Sequence, residues 1–333
     1  MEEQKKIYYN NNNNNNDDDN DNKIIALLII LLIAIFILIL IKYIIPNYSN
    51  YLTILNSKEG FKSVKKYNLG IMAIFKNEQD YMEEWLNHHI SQGFNQIYLY
   101  CNDPNIKAYT YLSKYQYSQY IKLIDWVDKK NIGSQTIQRQ AYSHCVKTYS
   151  HQCQFLLMLD LDEFVVHINP QLLVSDYINE LKLKQNFDDI KAFKIQRYDF
   201  GSNGHITKPD GLVMKNYLLH EKTCSSFKTL ANTDYIDKSK DFFGVHDYNY
   251  QSGKNGKVFN SYFGYGETGF PNSCKQNSIN EIPLVINHYY TKSYQEYLKR
   301  CELWKEGGIN PIGHRTDCEN KFKSRDVNEV SNY

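Results

Sequence analysis

Apolar positions along this chain fall into three regimes. The first is a block, Ile24 to Ile41, in which all eighteen residues are Ile, Leu, Ala or Phe. The second alternates short apolar runs with helical stripes. Leu69 to Phe75, Gln96 to Tyr100, Ile121 to Trp126 and Gln154 to Leu159 read as strands. Between them, Tyr81, Met82, Trp85, Leu86, His89 and Ile90 share one helical face. Ile106, Tyr109, Leu112 and Tyr115 mark a second helix, and Gln135 to Tyr149 a third. This βαβαβαβ order predicts a parallel sheet covered by helices. In the third regime, beyond Asp162, strand-like runs dominate: Lys191 to Arg197, Leu212 to Leu218, Lys257 to Phe263 and Ile282 to Ile286. An amphipathic helix through Tyr294, Tyr297, Leu298, Cys301 and Trp304 closes the pattern. The first half suits a nucleotide, and the more irregular second half suits selection of a second substrate. There is no internal repeat.

The amino terminus is of a different kind. Asn10 to Asn16 is a homopolymer and Asp17 to Asp21 is acidic, a composition that cannot bury enough apolar surface to fold. At 1.5 Å per residue, Ile24 to Ile41 just reaches across a bilayer core. Lys42-Tyr43-Ile44-Ile45-Pro46 follows, where a signal peptide would show a small-residue cleavage site. The expectation is an uncleaved anchor in contact with the lipid bilayer. The chain then divides into a tail (1–23), a transmembrane anchor (24–45), a stem (46–66), a catalytic domain (67–305) and a C-terminal tail (306–333). Lys5, Lys6 and Lys23 precede the block and Lys42, Lys58 and Lys62 follow it, so flanking charge gives no orientation. A short tail before the block and a large domain after it fit a single-pass type II protein of the Golgi or endoplasmic reticulum, with the domain in the lumen. There Asn47-Tyr48-Ser49 would be a glycosylation sequon.

Charge excludes one class of partner. A net charge of +1 and a pI near 7.6, with no basic stripe or zinc-knuckle spacing, argue against nucleic acid. None of the seven cysteines forms a CxxC pair, which argues against zinc. In a lumenal compartment some would pair, leaving an odd one over. The 29 tyrosines suit strands and sugar-stacking surfaces alike.

The candidate chemistry sits where the last strand of the alternating region ends. Phe155 to Leu159 runs into Asp160-Leu161-Asp162-Glu163-Phe164. Open α/β sheets bind ligands at the carboxyl ends of their strands. Asp160 and Asp162, two apart, would share a side. Like charges held close require a cation or a proton, and Mg²⁺ or Mn²⁺ is the ordinary solution. The plain alternative is a strand running into a solvated acidic turn. Lys76-Asn77-Glu78 and Asn102-Asp103 follow the first and second strands, as ligand contacts or as a helix cap and a turn.

The ordered motifs resemble the GT-A glycosyltransferases of family 92 and the similar family-2-like group. The matching pieces begin with Phe75-Lys76-Asn77-Glu78, Glu84-Trp85, His88 or His89, Gly93-Phe94 with Ile97 to Tyr100, and Gln138 with Ala141-Tyr142 and Cys145. They continue with Asp160-x-Asp162-Glu163-Phe164, Phe200 to His205 with Pro209-x-Gly211, Lys228, Val245-His246, and Asn287-His288-Tyr289-Tyr290-x-Lys292-Ser293. Cys101-Asn102-Asp103-Pro104 departs from the family, whose members more often show an Asp-Asn pair and a later Asp.

The resemblance implies an α/β fold of the GT-A type, a Rossmann-like mixed sheet covered by helices with the DxD at a strand end, here preceded by the single transmembrane helix. It implies a hexosyltransferase that takes a sugar from a nucleotide-sugar donor, a UDP-sugar such as UDP-galactose, and passes it with inversion to a glycan or glycoconjugate hydroxyl. Donor contacts would come from Lys76, Asn77, Glu78, Asp103, Gln138, Asp160 and Lys292. Asp160 and Asp162 would hold Mn²⁺ or Mg²⁺ with a late histidine, His288 or His246. His288 is favoured, because Lys292 lies four residues on and reaches the diphosphate as a point charge. Asp199 or His205 would take the acceptor proton. Two rivals remain. A haloacid-dehalogenase-type phosphohydrolase also ends a strand in Asp-x-Asp, but favours Thr or Val where this chain has Phe164. A catalytically inactive membrane-anchored carbohydrate-binding protein would be expected to lose the acids that are present here.

Overall fold

The structure, a computed structural model, describes residues 15–39, 65–127, 129–132, 136–183, 187–222, 226–241, 244–260, 282–305 and 317–331. The chain forms two units, residues 1–64 and 65–333. In the first, helix α1 (Asn15–Ile39) has 25 residues, the first nine of them Asn, Asp or Lys. The sixteen that remain rise about 24 Å at 1.5 Å each, short of the ~30 Å hydrocarbon core. Among the described residues no helix is long and apolar enough to cross a membrane. The expected transmembrane helix is overturned, and the expected bilayer contact finds no support in it. The block of eighteen apolar residues begins inside a helix whose first turns are acidic, and its last two, Leu40 and Ile41, lie outside the described residues. The sequon at Asn47 and residues 46–64 of the expected stem lie outside the described residues.

The second unit is mixed α/β. Strands β1 (Tyr67–Phe75), β2 (Gln96–Cys101), β3 (Ile121–Asp125) and β4 (Cys153–Met158) pair in parallel in the order β3-β2-β1-β4. This is the arrangement the alternating pattern predicts. Gly70 lets β1 and β4 lie close, since a Cβ there would meet Cys153 Sγ at 2.6 Å. Helix α2 (Met82–Ser91) buries Met82, Trp85, Leu86 and His89, the i, i+3, i+4, i+7 stripe of an amphipathic helix. Helix α3 (Ile137–Tyr149) starts at Thr136, whose side chain accepts from the Arg139 N–H at 3.2 Å. The expected second helix is instead a 3₁₀ stretch, Ile106–Ser113, and one α-helical turn, Tyr115–Ser118.

Beyond β4 the sheet continues with β5 (Glu163–His167), β6 (Ile190–Asp199), β8 (Ser226–Asn232), β9 (Lys257–Asn260) and β10 (Leu284–His288); β7 (Leu219–His220) lies apart and pairs elsewhere. The order runs β4-β8-β6-β10-β5, with β9 on β6. Antiparallel β8 joins β4 to β6, which mixes the sheet. Helix α4 (Val174–Leu183) buries Val174, Ile178 and Leu181.

The apolar run Leu212 to Leu218, expected as a strand, holds the four-residue helix α5 (Val213–Asn216). Its first N–H groups, from Val213 and Met214, donate to the Glu84 carboxylate at 2.7 and 3.1 Å. A cap lent from 129 residues away turns this segment helical, and no local pattern reveals it. Glu84→Ala is expected to lower the unfolding free energy by about 1–2 kcal/mol, the loss typical of a helix cap. Urea unfolding reads this, and a change within error would remove the cap from the account.

The chain ends in helix α6 (Tyr294–Lys305), helix α7 (Cys318–Arg325) and strand β11 (Val330–Ser331), which pairs with β7. A disulfide, Cys301–Cys318, links α6 to α7. Cys101, Cys145 and Cys153 are free and buried, and Cys224 and Cys274 lie outside the described residues. Much of the tyrosine is structural: Tyr98, Tyr100, Tyr117, Tyr142, Tyr217, Tyr289 and Tyr297 are fully buried.

Candidate functional site

Strand register builds the site. Residues directly opposite in paired strands share a face, as do residues two apart along one strand. Lys228 on β8 opposes Ile195 on β6, so it shares a face with Arg197 and Asp199. His288 on β10 opposes both Asp199 on β6 and Glu163 on β5. Five ionisable groups therefore collect on one side of four strands, next to the turn that carries Asp160 and Asp162.

That turn is fixed from below. The Trp85 indole N–H of α2 donates to the carbonyls of Asp160 and Glu163 at 3.1 and 2.9 Å. The Asp160 N–H donates to Glu163 Oε2 at 3.0 Å, and the Tyr289 N–H to the Asp162 carbonyl at 2.8 Å.

The two acids have different partners. Asp160 Oδ1 accepts from Gln138 Nε2 at 2.7 Å and the Tyr142 hydroxyl at 3.3 Å. Its Oδ2 accepts from Lys228 Nζ at 2.8 Å. Lys228 is fully buried, and its Nζ also lies 3.1 Å from Glu163 Oε2. Glu163 in turn pairs with Arg197 at 3.1 Å. Burial raises the Asp160 carboxyl, but the Lys228 charge outweighs it and holds it below the usual range. The same pairing raises Lys228 although burial opposes its charge. The cation that two close carboxylates require is thus, at Asp160, a lysine of the protein.

Asp162 lies 3.2 Å from Arg300 Nη1 and 3.5 Å from His288 Nε2. Burial opposes its charge; His288 and then Arg300 outweigh that and hold it far below the carboxylate range. The other ring nitrogen of His288 meets Asp199 Oδ1 at 2.6 Å. Burial and Arg197 disfavour charge on the ring, yet Asp162 and Asp199 raise it to about 9. Burial likewise raises Asp199, and His288 followed by Arg197 brings it down to about 2. Asp199 is buried against these groups, with Arg325 Nη1 at 3.8 Å.

The remaining sequence candidates form two groups and two separate histidines. Glu78 and Lys292 adjoin the acid turn. Burial raises the Glu78 carboxyl while Lys292 opposes, with Asp162 and Asp160 adding to the rise. Lys292 is buried, at a left-handed φ of 53°, with its Nζ 4.4 Å from the Tyr81 ring centre. Lys76, Asn77 and Asp103 form a neighbouring loop cluster. There the Asp103 carboxylate accepts from Asn77 N–H at 2.9 Å, Asn105 N–H at 2.8 Å and the Tyr109 hydroxyl at 2.7 Å. Asp103 thus staples the loop that presents Lys76 and Asn77.

The two other candidate histidines sit on separate segments. His246 sits with Nδ1 2.9 Å from the Phe227 carbonyl. Burial and then Lys228 push it down, and no contact joins it to Asp162. His205 Nε2 lies 3.3 Å from the Asn216 carbonyl, on the loop beyond Asp199.

Sequence reasoning gave no role to Lys228, Glu163, Arg197 or Arg300. One signal was present: a lysine inside the buried strand Ser226–Asn232 requires an acid partner. Among the described residues no group of three or more His, Cys, Asp or Glu side chains forms a ready metal cage. Asp162 with His288 offers a carboxylate oxygen and an imidazole nitrogen, an incomplete shell of the kind that substrate phosphates complete.

Comparison with known proteins follows the same lines. The family model described as glycosyltransferase family 92 matches residues 70–324. A glycosyltransferase family 92 protein of rice, Oryza sativa subsp. japonica, is 19% identical over 230 residues, 68% of this chain and 33% of its own length. One of Ricinus communis is 22% identical over 181 residues, 52% of this chain and 30% of its own. The chain therefore spans about a third of the length of these curated relatives. Among solved structures, HddC from Yersinia pseudotuberculosis aligns over 58% of this chain and 90% of its own at 10% identity, with a TM-score of 0.28 that carries no argument. With the family model covering most of the folded unit, and the site built from the residues that carry the resemblance, the chain belongs to glycosyltransferase family 92.

Proposed function

We propose that this chain moves a sugar from a nucleotide-sugar donor to a glycan hydroxyl, with a divalent metal and with inversion. A UDP-sugar is the donor class, and UDP-galactose is the first to try. The observation that carries the reading is the line Asp162–His288–Asp199. A carboxylate on one ring nitrogen orients the other, which is the usual support of a metal-binding imidazole. Here that other nitrogen faces Asp162 at 3.5 Å, the outer edge of hydrogen-bond range. Asp162 and His288 would hold the ion, and this mixed oxygen and nitrogen set suits Mn²⁺ more than Mg²⁺. When bound, the ion neutralises charge growing on the departing diphosphate.

The chain's own residues supply the rest. Lys228, Gln138 and Tyr142 fix Asp160 in one orientation for donor contact. Lys292 and Arg300 place positive charge beside the same acids, where a diphosphate would lie. Asp199, engaged by His288 and Arg197, is a poor proton acceptor. That leaves His205 as the base for the acceptor hydroxyl. The Cys301–Cys318 disulfide supports work in an oxidising lumen of the Golgi or endoplasmic reticulum.

Donor breakdown with UDP-, GDP- and CMP-sugars in Mn²⁺ or Mg²⁺ tests the reading. Breakdown of none of them rejects it, and phosphate release from simple phosphomonoesters instead favours the phosphohydrolase. For the ion itself, His288→Ala is expected to raise the metal concentration at half-saturation by about tenfold or more. His246→Ala should leave it near wild type, and Lys292→Ala should weaken the donor rather than the metal. Below pH about 9 the apo ring of His288 carries a proton that the ion must displace. Metal affinity should therefore rise as pH climbs from 7 toward 9. Calorimetric titration with Mn²⁺ reads both effects, and a midpoint moved only by His246→Ala reverses the assignment.

A further inference from the structure

The C-terminal segment 317–331 lies across the loop that follows Asp199. The Asp326 carboxylate accepts from the Ser202 N–H at 2.5 Å through Oδ1 and from the Ser202 hydroxyl at 3.0 Å through Oδ2. Asn328 Oδ1 accepts from the Asn203 N–H at 2.8 Å. At Gly201 the two segments meet so closely that a Cβ would collide with the Val327 carbonyl. The loop is a shape that needs holding, with Asn203 at φ 51° and Gly204 at φ 76°. It also connects to the acid site. Phe200 N–H donates to the His288 carbonyl at 2.8 Å, and Arg325 reaches toward Asp199.

Beyond the disulfide, the segment is held by Phe322 against the Tyr294 and Tyr297 rings, by β11 on β7 and by Glu329, whose carboxylate accepts from the Lys222 N–H at 2.7 Å. Helix α7 has eight residues and buries only Cys318, and β11 has two residues. Helices this short are marginal alone. The covalent tether is Cys301–Cys318, which closes a sequence separation of 17. The loop thus takes part of its order from polar contacts with a strap that the disulfide tethers.

We propose that residues 317–331 are a positioning strap for the Phe200–His205 loop, with Asp326 as its positioning residue and the Cys301–Cys318 disulfide as its tether. The strap holds the acceptor-side wall in its working shape, so correct placement of the acceptor requires the oxidised protein. What the loop does rests on the transferase reading; that the strap holds it does not.

The test uses the full chain, comparing wild type with Asp326→Ala, Asp326→Asn and Cys318→Ser. Amide hydrogen exchange at Ser202 and Asn203 is expected to quicken about tenfold or more in Asp326→Ala and in Cys318→Ser, since local opening governs exchange. Asp326→Asn should restore part of the protection, because its amide oxygen still accepts from Ser202. The KM for the acceptor should rise about tenfold while the KM for the donor moves less than about twofold, a displaced wall rather than a lost fold. Unchanged exchange in both disrupting variants overturns the strap, and quickened exchange with the acceptor KM unmoved overturns its part in placing the acceptor. A wild-type chain that breaks down no donor rejects the transferase reading, and the exchange measurement still decides whether the strap holds the loop.

Discussion

Lys228→Met is expected to cost the folded unit about 3–5 kcal/mol, the range for removing one partner of a buried ion pair. Its Tm should fall by roughly 10 °C. Lys228 is fully buried between Asp160 Oδ2 at 2.8 Å and Glu163 Oε2 at 3.1 Å. Methionine fills the same space without a charge, so packing survives and the electrostatics are isolated. What remains is two carboxylates that share one lysine in the native protein, with Arg197 left to serve Glu163 alone. Asp160 keeps Gln138 and Tyr142, which donate neutral hydrogen bonds and cannot balance a full charge. Combining Lys228→Met with Asp160→Asn should recover part of the loss, because the second change removes the stranded charge. Urea unfolding in the presence of chelator measures all three proteins. A loss below about 1 kcal/mol in Lys228→Met would mean the pair is solvated and weak.

This lysine marks the limit of what the sequence discloses. Strands β1 to β4 are legible because each is an apolar run between turn residues, and α2 because Met82, Trp85, Leu86 and His89 repeat at helical spacing. The acid turn is legible because three carboxylates end an apolar run. The electrostatics of that turn are not, since the partner of Asp160 lies 68 residues on and its position depends on how β8 registers with β6. The like-charge argument asked for a cation, and a buried lysine beside Asp160 is a partner that sequence alone did not name. The same limit explains Leu212 to Leu218, whose helix depends on Glu84. Asp199 was legible as an acid beside a glycine-rich turn. Only the pairing of β6 with β10 shows that it faces His288. The apolar block before the folded unit erred in the opposite way: composition alone suggested a span, and the helix that contains it begins in an acidic run.

Asp162→Asn is expected to remove transfer by about a thousandfold or more, since charge stabilisation by an ion is worth several kcal/mol of barrier. Asn keeps an oxygen for Arg300 Nη1, now at 3.2 Å, and His288 keeps Asp199 at 2.6 Å. The fold should stand, but Arg300 and His288 lose the charge they pair with, and a loss of about 1.5–3 kcal/mol in chelator is expected. Asp160→Asn acts through a different partner. It removes a charged partner from buried Lys228, whose remaining carboxylate is Glu163, and leaves no full charge on the near side. Repulsion between two bare carboxylates would make either change neutral or stabilising. The Lys228 contact reverses that for Asp160, and a loss of about 1.5–3 kcal/mol is expected, the value of a hydrogen bond to a charged group. Three measurements separate the two acids: urea unfolding in chelator, Mn²⁺ titration by calorimetry, and sugar transfer. Asp162→Asn should lose Mn²⁺ binding. Asp160→Asn should lose stability while keeping most of its Mn²⁺ affinity. If Asp162→Asn in chelator transfers sugar within tenfold of wild type supplied with Mn²⁺, the ion has no part in the reaction. If Asp160→Asn is as stable as wild type, Lys228 is not the cation that holds the acid turn together.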